Sequence, residues 1–231
     1  INFTLCALHF ALSETLMTHI VHPYSFRLGI MRNWKSRWFS AKKYRSFLKS
    51  DVLVREWLEK KLRGMYIESI EMERSPDIFR IIIKTSRPGL VIGRRGEGVD
   101  NLKKEIAKFF IKNKLEPYQR LDLVVEEVRQ PDSRATIVAQ MIAESLEKRM
   151  YFRRVMKQTL SKVSVGKEVK GVKISMSGRL GGAEMSRRET VSEGKMPLQT
   201  LKADIDFAKE RAHLPYGDIG IKVWIYKEHE A

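Results

Sequence analysis

The chain has 231 residues, with 44 Lys and Arg against 28 Asp and Glu, which gives a formal net charge of +16. This length is enough for two modest domains, and the excess of positive charge predicts a polyanionic partner. The single cysteine, Cys6, excludes an internal disulfide and a cysteine-based zinc site. No apolar run reaches the roughly 18 residues of a membrane span. We therefore expect no membrane, cofactor or small-molecule substrate, and a reducing cytoplasm.

Residues 1–16 are apolar and lack Lys and Arg, unlike the rest of the chain. They resemble neither a signal peptide nor a transit peptide, because both of those carry basic residues. One interpretation is a mis-called start upstream of Met17, and the other is a genuine N-terminal helix. We predict that residues 1–16 are an N-terminal extension that results from a mis-called start.

Basic and aromatic residues alternate in the next segment, residues 17–50. The basic residues are Arg27, Arg32, Lys35 and Arg37, and the aromatic ones are Phe26, Trp34, Trp38 and Phe39. Such a segment can lie along RNA, with cations on phosphates and rings against bases, so we predict that these four cations bind RNA. Alternatively, Trp34 and Trp38 cap a core. The sequence leaves both interpretations open.

Hydrophobic periodicity then predicts a short helix at 44–48 and a second helix that begins after Asp51 and ends at Gly64. Alternating β-branched and aromatic residues predict strands at 66–74, 77–86 and 119–128. A lysine-rich amphipathic helix precedes the third strand. This order predicts one domain over 51–130, with a sheet packed under helices.

The loop Gly93-Arg94-Arg95-Gly96 follows the second strand and opens the lysine-rich helix, which carries Lys103. Two glycines let the backbone approach a ligand, and a helix N-terminus favours a phosphate. A plain glycine turn with two solvated arginines is the alternative. The context instead predicts the G-x-x-G loop of a KH domain, which binds nucleic-acid backbone. We therefore predict that all five residues contact RNA.

The second domain, 131–231, is predicted to contain two helices on an antiparallel sheet. Val138, Ile142, Leu146 and Met150 form the core stripe of the first helix. The second helix places Phe152, Val155, Met156, Leu160 and Val163 on one side. Arg153, Arg154 and Lys157 fall on the opposite side, either as a solvated face or as an RNA-binding one.

Strands are predicted at 170–177, 200–207 and 219–226, the last two paired around the turn at 215–217. The loop at 177–183 between the first two strands contains several glycines. Glycine-rich loops allow close approach to a phosphate backbone. We therefore predict that Arg179, Arg187 and Arg188 also bind RNA.

Several motifs occur in an order that is similar to one protein family. They are MTHIVHP at 17–23, RLGI at 27–30, WKSRWF at 34–39, RPGLVIGRRG at 87–96, FRRVMK at 152–157, SGRLGGAE at 177–184 and LKADID at 201–206. Together they resemble the bacterial type of small-subunit ribosomal protein number three. The resemblance runs from Met17 almost to the end of the chain.

This resemblance implies a type II KH domain followed by a C-terminal α+β domain, in the head of the small ribosomal subunit. It implies binding to ribosomal RNA and to neighbouring head proteins. Arg153, Arg154 and Lys157 match positions that line the mRNA entry side and assist the unwinding of incoming mRNA. We therefore expect a structural RNA-binding protein, not an enzyme. The alternatives are a free-standing nucleic-acid enzyme with a KH module and an RNA chaperone that works off the ribosome.

Overall fold

A computed structural model describes residues 21–75, 77–116, 118–166 and 168–228. These residues form two four-stranded sheets, each with helices packed against it, which confirms the predicted α+β class. The predictions for residues 1–16 lie outside the described residues. Within the described ranges, no helix is both long enough and apolar enough to cross a membrane.

The first sheet has the order β1-β2-β3-β4, in which β2 and β3 are antiparallel and the two outer pairs are parallel. Its elements are α1 (Pro23–Phe26), β1 (Ser36–Arg37), α2 (Tyr44–Lys61), β2 (Ile67–Arg74), β3 (Ile78–Thr85), α3 (Pro88–Ile92), α4 (Glu97–Lys112) and β4 (Arg120–Glu127). Val54 and Leu58 of α2 and Ile106 of α4 are fully buried with Ile81 and Ile83 of β3. One face of the sheet is therefore covered by two helices, as predicted.

Helix α2 is one continuous helix, so the prediction of two helices that meet at Asp51 is wrong. Asp51 does not cap a helix but lies buried inside α2. Its carboxylate accepts hydrogen bonds from Trp38 Nε1 at 2.7 Å and from Arg74 Nε at 2.9 Å. Partners from β2 and from the segment before α2 therefore satisfy this carboxylate. The expected boundary after residue 50 falls within α2.

Two short elements of the first sheet were not predicted. Ser36 and Arg37 form the edge strand β1 beside Met72 and Glu73, so the basic and aromatic segment is part of this sheet. The one-turn helix α3 stands between β3 and the glycine loop, where the sequence predicted that the loop follows the strand directly. Neither element is long enough to show a hydrophobic period.

The second sheet is antiparallel throughout and has the order β6-β5-β8-β7. Its elements are α5 (Ala135–Glu147), α6 (Phe152–Ser164), β5 (Val169–Gly178), β6 (Arg187–Gly194), β7 (Asp204–Leu214) and β8 (Gly217–Lys227). The inward residues of β8 pack with the apolar sides of α5 and α6 in one core. The prediction of two helices on an antiparallel sheet is confirmed.

Two predictions for the second half need correction, and one strand was not predicted. Arg187 and Arg188 begin the edge strand β6, a segment to which the sequence assigned no element. Met150 lies beyond the end of α5 and is 39% exposed, so it does not extend the core stripe. The strand predicted at 200–207 begins at Asp204 and continues to Leu214, where the tight turn to β8 follows.

The two halves of the molecule contact each other along α5 and the start of β2. Tyr66 and Ile137 are buried together in a small apolar cluster. Gln140 Nε2 donates to the carbonyl of Ile67 at 3.1 Å, and Arg63 pairs with Glu147 at 2.6 Å. Apolar packing and polar contacts therefore both join the two sheets.

Candidate nucleic-acid interface

The glycine loop reverses the chain between α3 and α4 through left-handed backbone conformations. Gly93 has φ of 70° and Gly96 has φ of 84°, values that side chains disfavour. Arg95, between them, also has a positive φ of 52°. A non-glycine residue in this region costs roughly 1–2 kcal/mol. The loop therefore holds Arg94 and Arg95 exposed at its tip at some cost in stability.

Gly98 is a requirement of this loop that the G-x-x-G motif did not predict. A Cβ atom on Gly98 would lie 2.5 Å from the carbonyl oxygen of Val91 and 2.8 Å from that of Ile92. The first turn of α4 therefore touches the last turn of α3, and only glycine permits this distance. The signal in the sequence was a third glycine two residues after the motif.

The charge around the loop is mixed. Glu97 and Asp100 occupy the first turn of α4, where carboxylates favour the helix dipole. They partly cancel the attraction for phosphate that was predicted from the helix N-terminus. Lys103 is half-buried on the next turn, and Lys104 beside it is exposed. Positive charge at this site therefore comes from side chains more than from the helix end.

Arg27 is fully buried, so the predicted RNA contact of this residue is wrong. Its guanidinium group donates to the carbonyl oxygens of Ala203 at 2.6 Å, Thr200 at 2.9 Å, Pro23 at 3.0 Å and Leu198 at 3.1 Å. The Arg27 fork thus ties α1 to the chain that leads into β7. Burial lowers the pKa of Arg27 from its ordinary value.

The other cations of the first segment are partly engaged. Arg32 pairs with Asp204 at 2.5 Å, and Arg37 pairs with Glu71 at 2.5 Å on the sheet face. Lys35 is exposed, with its ammonium group 5.4 Å from the ring centroid of Tyr24. Within the part of the chain that the structure describes, Lys35 has no carboxylate within ion-pair distance, unlike Arg32 and Arg37.

The two tryptophans of this segment divide between the two interpretations that the sequence left open. Trp38 is half-buried and packs edge-on against Phe47, in addition to its bond with Asp51. Trp34 is 64% exposed, so its ring is available for stacking. Trp38 therefore packs against α2, whereas Trp34 faces solvent.

Helix α6 separates apolar from charged residues as the sequence predicted. Its five apolar residues are all buried, whereas Arg153, Arg154 and Lys157 are exposed. Arg153 forms a two-pronged pair with Glu189 of β6, with Nε–Oε2 at 3.2 Å and Nη2–Oε1 at 3.0 Å. Hydrogen bonding to Glu189 raises the pKa of Arg153, and the same bond lowers the pKa of Glu189. The charge of this face is therefore opposed at one position.

Three further predicted arginines lie near the end of β5. Arg179 donates to the carbonyl oxygens of Ala183 at 2.9 Å and Tyr216 at 3.2 Å, which makes it a brace between two turns. Arg187 and Arg188 are exposed on β6. Arg187 approaches Glu189 to 3.3 Å, so the structure brings Arg187 and Arg153 to one surface.

Across the described ranges, no group of three or more His, Cys, Asp or Glu side chains is placed to hold a metal ion. No metal site therefore lies beside the cations of α6 and β6 in the described part of the chain. What this surface offers a ligand is positive charge and hydrogen-bond donors, which suit a phosphate backbone.

Two family models match the chain. The model described as KH domain matches residues 53–133, and the model described as Ribosomal protein S3, C-terminal domain matches residues 142–225. The first match includes the loop at 93–96, and the second includes the charged side of α6.

Curated relatives match over nearly the whole chain. A protein of Lawsonia intracellularis named Small ribosomal subunit protein uS3 is 47% identical over 208 residues, which is 90% of this chain and 93% of the relative. One from Oleidesulfovibrio alaskensis with the same name is 44% identical, with 90% and 93% covered. Small ribosomal subunit protein uS3c of Pyropia yezoensis is 42% identical, with 90% and 88% covered. Identity at this level over this length, together with both family models, shows that the chain belongs to the uS3 family of small ribosomal subunit proteins.

Proposed function

We propose that this chain is a structural constituent of the small ribosomal subunit head that binds ribosomal RNA, and that the charged side of α6 lines the mRNA entry. Membership of the uS3 family supports a ribosomal role that is structural and not enzymatic. The compartment of this function is the cytoplasm. Neither the nucleic-acid enzyme nor the free RNA chaperone is favoured by the family.

The first RNA-binding element in this proposal is the loop at 93–96. Its support is the exposed pair Arg94 and Arg95 on a backbone whose shape depends on Gly93, Gly96 and Gly98. Phosphate oxygens accept hydrogen bonds from arginine forks, so the loop is suited to clamp the RNA backbone without reading its sequence.

The second element is the charged side of α6, and one observation carries it. The apolar side of α6 is wholly buried, while Arg153, Arg154 and Lys157 remain at the surface of a packed domain. A helix anchored in this way holds its cations in fixed positions. Such cations can bind the separated strands of an mRNA hairpin while the ribosome moves, and this needs no nucleotide hydrolysis by the chain.

We further propose a division into an N-terminal KH domain and a C-terminal domain that starts near residue 131. The matches at 53–133 and 142–225 support this division. The first domain should begin upstream of residue 51, because α2 already starts at Tyr44. Neighbouring head proteins are proposed as further partners.

The loop is tested with the variant Arg94→Asp/Arg95→Asp. Aspartate tolerates a positive φ better than most residues, so the fold should persist. RNA affinity should fall, and the slope of log affinity against log salt should lessen by about one for each phosphate that the loop no longer neutralises. Unchanged affinity and slope would refute the loop as a phosphate clamp.

The mRNA role is tested with ribosomes that carry Arg153→Ala/Arg154→Ala/Lys157→Ala. Co-sedimentation with small subunits in high salt should be retained, because the apolar packing of α6 is unchanged. Elongation should slow on a message with a stable hairpin but not on an unstructured message. Equal slowing on both messages, or on neither, would remove the mRNA role. Failure of the unaltered chain to co-sediment would remove the ribosomal role itself.

A further inference from the structure

A single carboxylate lies among the cations of the α6 surface. Glu189 is on β6, whose register with β5 places it opposite Met176. From there it reaches both Arg153, at 3.0 Å, and Arg187, at 3.3 Å. Glu189 therefore connects a cation of the helix with a cation of the sheet edge.

The charged side of α6 is consequently not uniform. Among the residues that the structure describes, Arg154 and Lys157 have no carboxylate within ion-pair distance, whereas Arg153 is held by Glu189. Hydrogen bonding to Arg153 lowers the pKa of Glu189, so this carboxylate is ionised at neutral pH. A phosphate that approaches Arg153 meets a cation that already has an anionic partner.

We propose that Glu189 is a positioning residue that competes with RNA phosphate for Arg153 and Arg187, and so keeps RNA binding at the α6 surface weak. This inference rests on the proposed function of that surface. Exchange of a carboxylate for a phosphate on a guanidinium gains little, because one charge-assisted pair replaces another. At Arg154 and Lys157 a phosphate displaces only water and counterions.

Weak binding suits a surface over which RNA must move. When a phosphate leaves Arg153, Glu189 is within reach to pair with it again, so the guanidinium does not need to be rehydrated in full. Glu189 also holds the Arg153 fork in one orientation between visits, since the pair is two-pronged. Dissociation should therefore be faster than from an unopposed arginine.

The test uses the full chain in the background Arg94→Asp/Arg95→Asp, so that the glycine loop contributes little. The probe is a 12-nucleotide oligouridylate at about 0.1 M salt. Glu189→Gln should tighten binding by about three- to tenfold, the effect of removing one negative charge a few ångströms from the phosphate. The salt slope should steepen, by at most about one.

Glu193 provides a matched control on the same strand. It is exposed, four residues further along β6, and therefore about 13 Å away. Glu193→Gln changes the net charge equally, but at more than the roughly 10 Å screening length at 0.1 M salt. It should change affinity by less than about twofold. Equal tightening by both variants would reduce the effect to net charge and overturn the inference.

A pH titration by NMR gives a second readout. The carboxyl carbon of Glu189 should titrate below the ordinary glutamate pKa of 4.5 in the free chain, because the hydrogen bond from Arg153 favours the ionised form. Saturation with the oligouridylate should raise the midpoint of Glu189, because phosphate takes Arg153 from it. A midpoint that the RNA leaves unchanged would overturn the competition.

The variant Arg153→Ala/Arg154→Ala/Lys157→Ala separates this inference from the proposed function of α6. If this triple variant binds the oligouridylate as well as its parent, the proposed function of α6 fails, and the inference fails with it. If it binds more weakly but Glu189→Gln does not tighten binding, only the inference fails. The tightening should also disappear when Glu189→Gln is combined with Arg153→Ala and Arg187→Ala.

Discussion

The segment around Arg27 and the start of α6 both combine arginines with aromatic residues in sequence, yet the fold uses their cations in opposite ways. Arg27 is buried against four carbonyl oxygens, and Arg32 is paired with Asp204. Arg154 and Lys157 remain exposed on a helix whose other side is buried, and Arg153 beside them is exposed although it pairs with Glu189. The availability of a cation therefore depends on which acceptors the fold brings to it from elsewhere in the chain. For Arg27, those acceptors come mainly from residues more than 170 positions away.

The largest expected effect tests the structural side of this comparison. Arg27→Ala leaves several buried carbonyl oxygens without donors, at roughly 1–3 kcal/mol each, so the free energy of unfolding should fall by about 3 kcal/mol or more. Arg37→Ala is the control, since exposed ion pairs contribute about 0–1 kcal/mol. Urea unfolding of both variants measures the difference. Similar losses for the two variants would contradict the structural role of Arg27.

The second prediction compares the buried side of α6 with its exposed side. Phe152→Ala should cost about 3–5 kcal/mol, because this ring is buried in the core of the second sheet. The variant Arg153→Ala/Arg154→Ala/Lys157→Ala should cost about 1 kcal/mol or less in total, since its side chains are exposed. Urea unfolding again gives both values. A triple variant as unstable as Phe152→Ala would mean that these cations, like Arg27, hold the fold.

The third prediction concerns the exposed arginines of the glycine loop. Gly98→Ala forces a Cβ against the carbonyl oxygen of Val91 and should cost about 1–3 kcal/mol. RNA affinity should fall with it, because α3 and α4 must move apart and displace Arg94 and Arg95. Gly89→Ala is the control, as a Cβ there meets nothing within 4 Å and alanine favours the helix by about 0.5–1 kcal/mol. Equal behaviour of the two variants would contradict the requirement for glycine at 98.

The smallest effect concerns Lys227, a second buried cation, which lies beside Asp204 at the end of β8. Burial lowers its pKa, and the positive charge of Arg134 adds to the shift. The unfolded chain therefore binds more protons at this site between the lowered pKa and the ordinary value of 10.5. Stability contributed by Lys227 should accordingly rise with pH through that window. Urea unfolding at increasing pH, up to the ordinary pKa, should show a flatter dependence for Lys227→Met than for the unaltered chain.

Long periodic elements were predictable because their pattern repeats over several turns or residues. The apolar side of α6 and the alternation of Ile219, Ile221 and Val223 in β8 each predict one buried face, and the structure confirms both. Elements that are very short or mostly exposed were not predictable. β1 has two residues, and β6 exposes most of its side chains, so neither carries a hydrophobic period. Both are strands because a neighbouring strand supplies the hydrogen-bond partners.

Capping and termination signals were less reliable than periodicity. Asp51 is a good N-cap residue by type, but Trp38 and Arg74 supply its partners and α2 continues through it. Met150 continues a four-residue repeat, but α5 ends at Glu147 before reaching it. At Asp51 the deciding contacts come from residues distant in sequence, and at Met150 the helix has already ended, so the local sequence preference did not hold at either position.

The fold class, the buried faces of the long elements and the positions of the glycine loop and the α6 cations were predictable from the sequence. These follow from local spacing, which fixes which side chains share a face. Which cations remain available depends on the fold, because an arginine is engaged by acceptors that are remote in sequence. Arg27 meets the carbonyl oxygens of Leu198, Thr200 and Ala203, and Arg153 meets Glu189. No local pattern predicts these contacts, because the fold brings together residues that are far apart in the sequence.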